Sequence, residues 1–138
     1  MKRLITILFV FLSMNVVSAQ HHQEPSQANS SAAKVILSQG LPNVDLKNQE
    51  VIMMVVDFPP GNVGGAHRHP GQTFGYLLEG ELESVFEGKT YNYKKGDSFY
   101  EFPNGLHNST RNPSATVAAK LLVFFVNENG TPTTIREN

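Results

Sequence analysis

From about Lys34 onward the chain consists of short apolar runs separated by turn residues. Val51–Phe58 (VIMMVVDF) ends at Pro59-Pro60-Gly61, Phe74–Leu78 at Glu79-Gly80, and Leu82–Phe86 at Glu87-Gly88. Thr90–Tyr93 leads to Lys95-Gly96-Asp97, Ser98–Phe102 to Pro103-Asn104-Gly105, and Val117–Val126 to Asn127–Gly130. Strand-length runs about ten residues apart, with Gly, Pro and Asn between them, predict an all-β fold, an antiparallel sandwich or barrel. No segment in this part repeats its apolar residues at helical period. Gly80 and Gly88 bracket a predicted hairpin. Its Glu79, Glu81, Glu83 and Glu87 predict a solvated face that keeps an exposed strand from pairing with another molecule.

The N-terminal part reads differently. Residues 1–19 carry Lys2 and Arg3, an apolar run from Leu4 to about Leu12, and Val17-Ser18-Ala19 before Gln20, which predicts a secretory signal peptide and therefore an exported, periplasmic or secreted protein. Residues 20–33 are polar and poor in aromatics, a flexible leader by composition. Cleavage after Ala19 would expose Gln20-His21-His22, a terminus whose third-position imidazole could bind Cu(II) or Ni(II). Residues 34–138 are then left to form one β-barrel domain, and a chain of 138 residues has room for one core.

Charge and cysteine content narrow the chemistry. The formal net charge of −1 becomes −3 when Lys2 and Arg3 leave with residues 1–19, and no Lys/Arg cluster remains. That argues against nucleic acid as a partner and against a membrane surface after signal cleavage. Cysteine is absent, which excludes disulfides, a thiol nucleophile and a thiolate metal site. Metal chemistry in this chain has to rest on His, Asp and Glu.

Three histidines carry that possibility. Along a strand, side chains alternate faces, so His67 and His69 point the same way and Arg68 the other. Two imidazoles on one side can share an ion, for which zinc sets nitrogen distances of about 2.0–2.1 Å. His107 follows the Pro103-x-Gly105 turn, where another strand would begin.

Gly61-x5-His67-x-His69, continuing to Gly80, resembles the first signature of the cupin superfamily, and Gly96-Asp97 through Pro103-x-Gly105 to His107 and Asn112 resembles its second. With the flanking strands the resemblance extends over about residues 34–130. It implies a jelly-roll barrel, a double-stranded β-helix, with a metal site inside its mouth and His67, His69 and His107 as ligands. In the wider superfamily a glutamate seven residues before the closing glycine is the fourth ligand, and counting back from Gly80 reaches Thr73. The second signature departs as well, with one more residue before Pro103, one fewer between Gly105 and His107, and Asn112 one position late.

Three groups can take the place of that glutamate: the side-chain oxygen of Gln72, the carboxylate of Glu101, or water in a site with an open position. The phrases HRHPG-x-x-F-x-Y-x-L-x-G and SFYE-x-P-x-x-x-H are similar to those of small exported cupins that also lack the first-motif glutamate, which draws attention to Glu101. Among the remaining residues, Arg68 alternates away from the histidines and suits a salt bridge. Phe74, Tyr76, Tyr100 and Phe102 suit the barrel core, with an aromatic-ligand pocket as the other use. Gly61, Gly64 and Gly65 suit a turn of positive φ, since no helix follows to hold a phosphate.

Three imidazoles, with or without an oxygen ligand, suit one divalent transition metal, Fe, Mn, Ni, Cu or Zn. The function this implies is a small metalloenzyme of the dioxygenase or isomerase type acting on a small organic molecule. The alternatives are a non-catalytic metal- or ligand-binding module and a cupin that has lost its metal. By analogy with single-domain cupins, a homodimer paired through a sheet is expected.

Overall fold

The computed structural model describes residues 33–41 and 45–137. The signal peptide, the leader to residue 32 and the His21-His22 terminus read from the sequence lie outside them. Among the described residues there is no helix, and ten strands follow one another. They are β1 (Gln49–Phe58), β2 (Val63–Gly64), β3 (His67–Arg68), β4 (Gln72–Glu79), β5 (Glu81–Phe86), β6 (Lys89–Lys94), β7 (Ser98–Glu101), β8 (Leu106–Arg111), β9 (Ala119–Glu128) and β10 (Ile135–Arg136).

Two antiparallel sheets result. One has the order β1-β9-β4-β7 and the other β10-β3-β8-β5-β6, with β2 alongside β8. The alternation within each strand decides what lies between them. In β9, Ala119, Leu121, Val123 and Phe125 are buried, and they join Leu77 from β4 and Leu82 from β5 in one core. Ile52, Met54, Val56 and Phe58, the alternate residues of β1, pack against this core, while Val51, Met53 and Val55 point outward and are more than half exposed.

The predicted hairpin is β5–β6, closed by Glu87-Gly88 with φ of 50° and 73°, the two left-handed residues that a two-residue hairpin of matching twist requires. Gly80 has a different task, since β4 and β5 lie in different sheets and the chain crosses between them there. Because β5 runs between β8 and β6, its glutamates line a solvated strand inside the sheet and not an exposed edge; Glu83 is bonded to Arg111 at 2.6 and 2.9 Å. Of the three glycines assigned to a positive-φ turn, only Gly61 has one, at 70°; Gly64 belongs to β2.

Asn112 is almost fully buried and ties loops together. Its amide donates to the carbonyls of Phe58 (3.0 Å) and Val117 (2.8 Å), and its side-chain oxygen accepts from the Ser114 amide (3.0 Å). This late asparagine of the second motif therefore fixes the end of β1 against the approach to β9.

Candidate metal centre

One row of side chains crosses the larger sheet on its inward face. His67 pairs directly with His107 of β8 on one side and with Arg136 of β10 on the other. Directly opposed residues of an antiparallel ladder share a face, so the three side chains point into the same space. Strand β3 ends at Arg68, yet His69 continues the alternation and its ring returns to the row: His67 Nε2 and His69 Nε2 are 3.2 Å apart, and the His67 and His107 rings have centroids 4.7 Å apart. One nitrogen from each of the three histidines lies within 4.8 Å of the others.

The outer nitrogens are engaged. His67 Nδ1 donates to the carbonyl of Gly65 at 2.9 Å, and His69 Nδ1 to the carbonyl of Thr133 at 2.7 Å. A carbonyl only accepts, so both rings carry their proton on Nδ1 and present a lone pair on Nε2. Burial holds both imidazoles below the ordinary histidine value, outweighing the carbonyl bonds, which act the other way. Two lone pairs thus face each other at 3.2 Å. Nitrogens about 2.1 Å from one ion, in tetrahedral or octahedral arrangement, lie about 3.0–3.4 Å apart. His107 is turned by different partners: Ser84 Oγ and Thr110 Oγ1 are 2.9 and 2.6 Å from Nε2, and the buried Nδ1 has no hydrogen-bond partner among the described residues.

Glu101 completes the cluster from the opposite sheet. It is 4% exposed, with Oε1 3.5 Å from His107 Nδ1 and Oε2 3.8 Å from His69 Nε2. Oε2 has no hydrogen-bond partner among the described residues. A buried carboxylate oxygen and a buried imidazole nitrogen without partners cost stability unless a cation satisfies them. These donors fit a divalent transition metal.

Gln72 is not brought into this group. It alternates with the inward Thr73, and its side-chain oxygen accepts from the Tyr100 hydroxyl. Phe74, Tyr76 and Tyr100 share that outward face of the smaller sheet, and Phe102 is about half exposed, so none of the four lines the cavity over the histidines. Phe58, Phe99 and Phe125 do. Arg68 behaves as its alternation predicts: it faces away from the cluster and pairs with Glu137 at 2.5 Å.

The cavity has a volume of about 570 Å³ and is walled by Met54, Val56, Leu121, Val123 and the three phenylalanines, with the histidines and Glu101 on its polar side. Sequence reasoning missed four residues around the histidines and the cavity. Ser84 could have been found, because it occupies the inward position of the alternation Leu82–Ser84–Phe86. Thr110, Thr133 and Arg136 carried no such signal.

With this geometry in place, comparison with known proteins gives the family. No curated protein matches the chain significantly in sequence. Solved structures do. An RmlC-like cupin from Shewanella frigidimarina aligns at 26% identity and a TM-score of 0.51 over 56% of this chain and 66% of its own. A predicted oxalate decarboxylase from Thermotoga maritima aligns at 25% and 0.51 over 58% and 68%, and the DMSP lyase of Ruegeria pomeroyi at 24% and 0.55 over 62% and 42%. The shared part is under two thirds of the Shewanella and Ruegeria chains, and the last likeness concerns the fold alone. The cupin-domain family itself matches residues 54–125, which reach from β1 to β9, enclose all three histidines and Glu101, and make up more than half of the sequence: the chain belongs to the cupin family.

Proposed function

We propose that this chain is an exported cupin metalloenzyme that holds one divalent transition metal on His67, His69, His107 and Glu101 and acts on a small organic molecule in the cavity above them. The observation that carries the reading is the tautomer pair: the Gly65 and Thr133 carbonyls commit His67 and His69 to presenting lone pairs at one point, where a buried Glu101 oxygen also lacks a partner. A bound metal there would supply Lewis-acid or redox activation of a substrate oxygen. The chain's own part is to orient the donors, to hold the His67 and His69 imidazoles below the ordinary histidine value by burial, and to exclude water with an apolar wall.

The enzymatic reading is favoured over a closed metal-binding module by the cavity, whose volume lies within the ~300–1,000 Å³ usual for small-molecule sites and which opens directly onto the donors. Dioxygenase and isomerase chemistry both suit three histidines and a carboxylate. Export rests on Lys2, Arg3, the apolar run and Val17-Ser18-Ala19. Pairing of two copies is supported by the outward apolar face of the smaller sheet.

Elemental analysis of protein prepared without a polyhistidine tag, beside the His67→Ala/His69→Ala variant, tests the centre. About one equivalent of metal in the parent and loss in the variant is the expected result; equal content in both overturns it.

A further inference from the structure

Arg136 stands in the same inward row as two of the candidate metal ligands, directly across from His67. It lines the same cavity, and its charge is close enough to act on the His67 ring. No carboxylate lies within salt-bridge distance of it among the described residues. Glu137, the one acid beside it in sequence, also lines the cavity, but its carboxylate is bonded to Arg68. The Glu137 amide also donates to the Ala66 carbonyl at 3.1 Å, so β10 is fixed at both the side chain and the backbone and holds Arg136 at the cavity mouth.

A cation held at the mouth of a cavity with one apolar wall selects a ligand with one anionic end and an apolar body. We propose that the site takes a small organic monocarboxylate, its carboxylate gripped by the Arg136 guanidinium and its apolar body laid against the wall built by β1 and β9. This rests on the reading of the cavity as a substrate site. The planar guanidinium fork matches a carboxylate in bidentate fashion. A phosphate dianion fits less well, because Arg136 is the one Lys or Arg among the described lining residues and two carboxylates, Glu101 and Glu137, line the same cavity. Orientation follows from the row: a carboxylate on Arg136 sets the adjoining carbon atoms next to His67, beside the candidate centre.

The probes are benzoate and hexanoate, each compared with its primary amide, titrated by calorimetry and by amide NMR into the parent protein, Arg136→Gln and Arg136→Lys. The expected result is that the acids bind the parent at least about tenfold more tightly than the amides, the difference made by a charge-assisted pair. Arg136→Gln should remove that preference while its amide affinity and metal content stay at the parent's values, and Arg136→Lys should keep part of it. Equal binding of acid and amide by the parent, unchanged acid affinity in Arg136→Gln, or no binding of any probe at millimolar concentration overturns the proposal. Metal content measured on the same samples separates the two readings. Parent protein without metal but with Arg136-dependent acid binding removes the metal centre and leaves the anchor; metal without that dependence does the reverse.

Discussion

Thr73 of β4 and Glu101 of β7 face each other directly across the ladder, both inward and both almost fully buried. Thr73 occupies the position at which the cupin signature carries its glutamate, so the carboxylate reaches the same space from the neighbouring strand. Opposed Cβ atoms in such a ladder are about 5 Å apart, a gap that a glutamate side chain spans from either side.

That opposition makes the carboxylate exchangeable. Glu101→Thr is expected to weaken metal binding by at least about tenfold, no less than the loss of an outer-shell partner costs, and Thr73→Glu/Glu101→Thr to recover most of it. Gln72→Ala should leave the affinity unchanged, since its oxygen is bonded to Tyr100 on the other face. Chelator competition reads all three, and a Glu101→Thr protein with parental affinity would remove the carboxylate from the centre.

Acid should destabilise the metal-free protein through His67 and His69. Burial lowers both values in the folded state, so below the ordinary histidine value of 6.5 the unfolded chain takes up protons that the folded one refuses. Stability from these two rings is therefore fully present above about pH 6.5 and falls as the pH drops below it. Thermal melts of stripped protein from about pH 8 to 5 should show this slope, and His67→Ala/His69→Ala should flatten it. Parallel curves for the two proteins would contradict the assignment.

Thr110 acts through His107. Its hydroxyl is 2.6 Å from Nε2, so Thr110→Val keeps the shape and removes the shorter of the two contacts that turn Nδ1 inward. Metal affinity should fall about tenfold, within the range for outer-shell partners, with the unfolding midpoint of metal-free protein little changed. An affinity equal to the parent's would mean that Ser84, the other partner of Nε2, and packing suffice to orient the ring.

The smaller sheet carries apolar residues on both faces, and those on its outward side are organised in rows. Met53 pairs with Phe124, Phe124 with Phe74, and Phe74 with Tyr100; Val55, Leu122 and Tyr76 form the next row. A second copy laid on this face would bury it. Light scattering should report a dimer for residues 34–138 and a monomer for Met53→Lys with unchanged metal content. A parent that is monomeric at high micromolar concentration would rule the dimer out.

The strands were legible because their alternation survives in the sequence. Ile52, Met54 and Val56 alternate with Val51, Met53 and Val55, and because both sets are apolar the direction of facing could not be read there. The same ambiguity assigned Phe74, Tyr76 and Tyr100 to the interior. The histidines were legible from motif spacing, and Glu101 from its phrase, but its inward direction depended on pairing with Thr73, a relation between strands 28 residues apart in the chain. Arg136 was silent because a two-residue strand has no period to read, and Thr133 because it lies outside any strand and acts through its backbone carbonyl.

The carbonyl that orients His69 belongs to Thr133, 64 residues further along the chain. A growing polypeptide that already contains His67, His69, Glu101 and His107 still lacks it, and the His69 ring is free to rotate until β10 closes onto β3. The donor set is thus oriented from a segment that follows all four donors in the chain, so His69 is aimed only once residues some sixty positions downstream have closed over it.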